Sequence, residues 1–211
     1  MERPPTLREQ KSAATRDRIV DAALSLFDEA GYGNTTVDEI AVRAQVGRRT
    51  FFHHFPSKEA VFFADTAARH DAVIKSIEQR PHGESPLASL LFVFGELCDR
   101  PIDLARSQKI ARLVEQDPEV LGIIHKTDVY DFEAKLVECL RARVGDDLAE
   151  EELRVITSTA LACIGSAWRV QLTQPDVPLR GHFDAMVQAC AVRWGALDST
   201  RPRSSNGARR R

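Results

Sequence analysis

Thr35-Thr36-Val37-Asp38-Glu39-Ile40-Ala41-Val42-Arg43-Ala44-Gln45-Val46-Gly47-Arg48-Arg49-Thr50-Phe51-Phe52-His53-His54-Phe55-Pro56-Ser57-Lys58-Glu59-Ala60-Val61 is the stretch whose reading decides the fold. Thr36 followed three residues later by Glu39 is a capping box, the mark of a helix start. Val37, Ile40, Ala41 and Ala44 then fall on one face of a helix roughly nine residues long, which Gln45-Val46-Gly47 interrupts. Arg48 to His54 has room for two turns before Pro56, which holds Phe55 in extended geometry. Two short helices joined by a tight turn, the second opening on paired arginines, suit a reader of the DNA major groove. One helix braces across the backbone and the other presents its N-terminal side chains to base edges. A solvated charged face on an ordinary helical hairpin has the same spacing, so the pattern alone leaves both readings open.

Outward from this stretch the period stays helical. From Arg16 to Ala30, Ile19, Ala22, Ala23, Leu26 and Phe27 form an apolar face, Asp17, Asp21, Asp28 and Glu29 lie opposite, and Gly31 is a C-terminal stop. Ser57 is expected to cap a fourth helix through Lys58-Glu59-Ala60-Val61-Phe62. The period then continues to about Leu197, broken at Pro81-His82-Gly83, Arg100-Pro101, Asp117-Pro118, Gly145-Asp146-Asp147 and Gln174 to Pro178. No segment alternates like a strand. The expectation is an all-α chain of about nine helices. Residues 1–12 read as a disordered basic tail, 13–60 as a helix-turn-helix domain, 61–198 as a larger helical domain, and 199–211 as a disordered Arg-rich tail.

Composition narrows the function classes. With 43% hydrophobic and 28% charged residues the chain has the balance of an ordinary globular protein. No apolar run reaches the roughly 18 residues of a membrane span, and the start carries no signal-peptide pattern, so a cytoplasmic protein is expected. The net charge of -2 gives no global attraction to nucleic acid, and DNA binding has to come from a local basic surface. Cys98, Cys139, Cys163 and Cys190 are widely spaced in apolar helical contexts and read as buried free thiols. His53 and His54, adjacent on a helix, point about 100° apart and are poorly placed to share a metal ion. No Ser-His-Asp grouping, phosphate loop or nucleotide fingerprint occurs. Neither an enzyme, a cofactor nor a metal is expected.

The stretch from Thr35 to Val61, with Ala22, Phe27 and Gly31-Tyr32 before it, resembles the DNA-binding segment of the TetR family of bacterial regulators. The resemblance implies that Thr36 and Lys58 hold phosphates while Arg48, Arg49, Thr50, His53 and His54 face the groove. Lys58, at the start of the expected fourth helix, would have backbone N–H groups and the helix dipole beside its ammonium. Three positions depart from the family's pattern. Gln45 stands where Gly is usual and has to adopt a left-handed conformation or shift the turn. Gly47 replaces a Ser-like cap. Phe52 replaces a common Tyr and lacks its hydroxyl, so its ring is expected only to pack.

The resemblance also implies a homodimer on a palindromic double-stranded operator and an unidentified small-molecule effector, hydrophobic or amphiphilic. The last two helices are the expected interface, through Ile156, Ala160, Ile164, Trp168, Phe183, Met186, Cys190 and Trp194, with internal core packing as the competing reading. Phe92, Leu113 and Phe132 are expected to line an effector pocket with Arg112, His125 and Arg169 as polar anchors. A helical ligand carrier or enzyme that merely keeps the N-terminal fold is the alternative to a ligand-responsive repressor.

Overall fold

The computed structural model describes residues 6–64 and 66–198, without the side chains of 67, 128 and 193–198. Residues 1–5, the tail 199–211 and the expected interface side chain of Trp194 lie outside the described residues. All regular elements among the described residues are helical.

The Thr36 hydroxyl accepts from the Glu39 N–H at 3.3 Å, and the Glu39 carboxylate accepts from the Thr36 N–H at 2.8 Å, which starts α2 (Val37–Arg43). The helix closes with the Val46 N–H donating to the Ala41 carbonyl at 2.9 Å and the Gln45 N–H to that of Val42 at 3.1 Å. This is the pair of bonds that a left-handed residue makes possible at a helix end. Gln45 supplies it with φ 54. Then α3 (Arg48–His54) follows, started by Gly47 without a side-chain cap and stopped where Phe55 turns extended before Pro56.

Two expectations near the N-terminus need correction. Helix α1 (Leu7–Ala30) begins at Leu7 instead of Arg16, so much of the expected tail is helical. A second capping box starts it, with the Thr6 N–H donating to the Glu9 carboxylate at 2.6 Å and the Glu9 N–H to the Thr6 hydroxyl at 3.3 Å. Residues 7–14 are all exposed, so no apolar period announces the extension. The expected fourth helix from Ser57 is a single 3-10 turn at Glu59–Val61; α4 (Thr66–Glu78) starts later. Val61 and Phe62 are buried against α1, and the Tyr32 hydroxyl donates to Glu59 at 2.6 Å, so this turn serves the core.

The rest follows the breaks in the sequence: α5 (Pro86–Cys98), α6 (Leu104–Gln116), α7 (Pro118–Ile124), α8 (Phe132–Val144), α9 (Glu150–Thr173) and α10 (Leu179–Asp198). Asp117 caps α7, accepting from the Glu119 N–H at 2.9 Å, and α7 passes into α8 through a π-helical stretch at His125–Asp131. Two cores result. The N-terminal one gathers Ile19, Phe27, Tyr32, Ile40, Phe51 and Phe55, and takes in Leu113 of α6 and Val120 of α7. The other joins α4, α5, α8, α9 and α10 through Ile77, Leu90, Phe94, Leu136, Ala160, Ala167 and Phe183. Fully burying a large apolar side chain such as Leu, Ile or Phe contributes roughly 1.5–3 kcal/mol, and Phe51, which seats α3, is fully buried. Two buried thiols stay protonated at neutral pH, since burial pushes Cys98 up to about 12 and Cys163 up to about 11.

Candidate nucleic-acid interface and cavity

Packing decides which side of α3 meets solvent. Phe51 points into the N-terminal core, which leaves Arg48, Arg49, Phe52 and His53 exposed and Thr50 and His54 half-buried. The Arg48 guanidinium bonds to the Asp38 carboxylate of α2 at 2.6 Å and lies 5.5 Å from the centroid of the Phe52 ring. Both partners of that ion pair are more than 60% exposed, and a pair so exposed is worth at most about 1 kcal/mol. Phosphate or a base edge can therefore compete for Arg48. Phe52 packs edge-on to Phe51 but stays 43% exposed beneath Arg48.

His53 and His54 stand edge-to-face with ring centroids 5.2 Å apart. Burial, helped by His53 and Arg16, lowers the His54 pKa and so favours the neutral ring. Thr36 is exposed at the start of α2, but its hydroxyl donates to Glu39 at 2.8 Å within the capping box.

Lys58 differs from its expected role. Its ammonium donates to the carbonyls of Tyr32 at 2.8 Å and Thr35 at 3.2 Å, and lies 4.0 Å from the centroid of the Tyr32 ring. Only a 3-10 turn follows Lys58, which closes the α1–α2 connection from within, its ammonium bonded one residue before the Thr36 cap of α2. Sequence reasoning also missed Arg16. It donates to the His54 carbonyl at 3.3 Å and to that of Ala64, and its guanidinium lies 4.5 Å from the centroid of the Phe55 ring. The end of α3 is thereby tied to α1.

The structure brings few of the expected pocket residues together. A cavity of about 590 Å³ is lined by Phe132 and Arg169 as expected, and by Phe62, Arg69, Phe94 and Trp168 among others. Phe92 is outside it, 45% exposed with the Arg80 guanidinium 3.7 Å from its ring centroid. Leu113 belongs to the N-terminal core, Arg112 is exposed, and His125 packs against Tyr130 on the surface. The expected interface residues among those described also pack within the chain. Ala160, Ile164 and Phe183 are buried in their own chain's core, and Ile156, Trp168, Met186 and Cys190 pack against it, with the Cys190 sulfur 3.5 Å from that of Cys163. Internal packing uses the large apolar face of α9 and α10 and leaves Val155, Ala162, Ala185, Ala189 and Val192 exposed, flanked by charged residues.

Comparison with known proteins fits this geometry. Residues 19–64 match the family described as bacterial regulatory proteins, tetR family. Over 207 residues the chain is 32% identical to the HTH-type transcriptional regulator TcmR of Streptomyces glaucescens, covering 94% of this chain and 88% of that protein. The chain belongs to the TetR family. It is accordingly a DNA-binding transcriptional regulator of the helix-turn-helix class. Among TetR-family relatives, the negative regulator IcaR of the Staphylococcus aureus icaADBC biofilm operon is 38% identical over 47 residues, 22% of this chain and 25% of its own length. The crystal structure of NalD, a repressor of the MexAB-OprM efflux pump in Pseudomonas aeruginosa, has the same fold, with a TM-score of 0.55 at 19% identity over 84% of this chain and 96% of NalD. Within this TetR fold no described helix is long and apolar enough to cross a membrane.

Proposed function

We propose that the chain is a ligand-responsive repressor that binds a palindromic operator as a homodimer, with α3 as its reading helix. The observation that carries this is the placement of Arg48, Arg49, Thr50 and His53 on the outward side of a helix seated by buried Phe51. Arg48 and Arg49 suit bidentate pairing with guanine or a grip on phosphate. The second copy docks across the last two helices, on exposed Val155 with half-buried Thr159 and Ser166 of α9 and on exposed Ala185 and Ala189 of α10, where backbones can approach closely. The cavity is the effector site, and α6 links it to the reading head. Ser107, Ile110 and Ala111 line the cavity, while Arg106 bonds to Asp21 of α1 at 3.0 Å and Lys109 to Ser25 at 3.1 Å. An effector that prefers one placement of α6 shifts the placement of α1 and, through Arg16, of α3.

Selecting bound fragments from genomic DNA with the purified protein tests the reading. The expected site has two half-sites with centres about 34–36 Å apart. In an anisotropy titration, Arg48→Ala with Arg49→Ala should lower selectivity for that site by about 30-fold or more, at ~1–3 kcal/mol for each lost bidentate contact. Unchanged selectivity refutes the assigned reading helix. Absence of any salt-dependent DNA affinity would favour a helical carrier or enzyme instead.

A further inference from the structure

The cavity has a neighbour. A second chamber of about 400 Å³ adjoins the first, and Phe62, Thr66, Arg69, Leu97, Ile110 and Trp168 stand in the walls of both. The first chamber is the aromatic one, with Phe62, Phe94, Phe132 and Trp168 in its wall and His70 stacked flat on Phe132 at a centroid separation of 3.6 Å. The second has Arg100 and Arg106 in its wall.

Among the described residues lining the two chambers, four arginines (69, 100, 106 and 169) stand with two carboxylates, Glu133 and Asp103. Neither carboxylate serves Arg69. Glu133 accepts from the Ser158 hydroxyl at 2.7 Å, and Asp103 caps α6 by accepting from the Arg106 N–H at 2.9 Å. Arg106 is held by Asp17 and Asp21, and Arg169 by the Ser166 hydroxyl at 3.0 Å. Half-buried Arg69, in the wall common to both chambers, makes no hydrogen bond or ion pair with a described residue. A guanidinium keeps its proton under any burial, and a charge withdrawn from water without a partner is costly. Here the binding site lacks an anion that its own described residues do not provide.

We infer that the effector is an elongated amphiphile, with a flat aromatic body in the first chamber and an anionic group, carboxylate, sulfonate or phosphate, against Arg69 at the junction with the second. This rests on the reading of the cavity as the effector site, and the test separates the two.

Two fluorescent probes share one aromatic skeleton: 1-anilinonaphthalene-8-sulfonate carries an anion and N-phenyl-1-naphthylamine does not. Both are titrated into the full-length protein, with mutual displacement to establish a common site. The expected result is that both bind and displace each other, and that Arg69→Met weakens the sulfonate at least tenfold while the uncharged probe changes less than twofold. Arg69→Lys should recover part of the loss, and retained binding of the uncharged probe shows that each variant is folded. Equal losses for the two probes, or sulfonate binding untouched by Arg69→Met, overturn the anion assignment and leave the effector cavity standing. Failure of both probes to bind the unaltered protein overturns the cavity reading and the assignment with it.

Discussion

Arg48, the first residue of α3, and Asp38, in the first turn of α2, are joined through one guanidinium nitrogen 2.7 and 2.6 Å from the two carboxylate oxygens. The pair points Arg48 along the brace helix and sets a negative charge beside the expected path of the phosphates. Asp38→Asn should free Arg48 and remove that repulsion. Affinity for random duplex should rise, the slope of log affinity against log salt should steepen by about one, and the preference for the operator should narrow. Anisotropy titrations with operator and scrambled duplex at several salt concentrations read all three, and an unchanged slope counts against Asp38 as a competitor for Arg48.

Gln45 bears φ 54 in a turn whose two closing bonds are intact. The left-handed conformation costs an L residue with a side chain about 1–2 kcal/mol, of which glycine's greater unfolded-state entropy takes back roughly half. Gln45→Gly should stabilise the protein by about 0.5–1 kcal/mol, visible as a Tm higher by roughly 2 °C. A lower Tm would show that the Gln45 side chain contributes more than its backbone strain removes.

For Lys58 the predicted result separates two roles. Its ammonium satisfies the carbonyls of Tyr32 and Thr35, so Lys58→Met should cost about 1–3 kcal/mol in chemical denaturation. The salt slope of DNA binding should stay the same, whereas a phosphate contact would lower it by about one when lost. A fall in slope with unchanged stability would return Lys58 to the DNA.

What the sequence reveals and what it conceals divide along contact range. Capping boxes, Gly and Pro stops and the apolar period act within a few residues, so α2, α3 and the breaks from Pro81 to Pro178 are legible. The start of α1 is legible only in Thr6 and Glu9, because the turns between them and Ile19 bury nothing fully. Partners far apart in the chain leave no local trace: Lys58 reaches back to Tyr32, Arg16 forward to His54, and Arg106 to Asp17 and Asp21. A helical period also shows that a face is apolar without showing what covers it. On α9 the large residues Ile164 and Trp168 are taken by their own chain, which leaves Val155 outward. Leu113 is drawn into the N-terminal core because α6 packs on α1 as well as on the cavity.

His70 makes the fold sensitive to mild acid. Burial, with Arg69 and Lys135 adding to it, lowers its pKa from 6.5 to about 4, while Asp71 opposes the shift. An unfolded chain takes up a proton on this ring as pH falls through 6.5, and the folded chain refuses it until about 4. The contribution to stability is therefore complete above pH 6.5, declines across the window from 6.5 to 4, and has no further pH dependence below it. His70→Gln removes the titration along with part of the stacking on Phe132, so the variant should melt below the unaltered protein at about pH 7.5. That difference should shrink by a few degrees by about pH 5, since carboxylates and the remaining histidines act alike in both proteins. Melting curves that stay parallel from about pH 7.5 to 5 would mean that His70 is not held neutral by the fold.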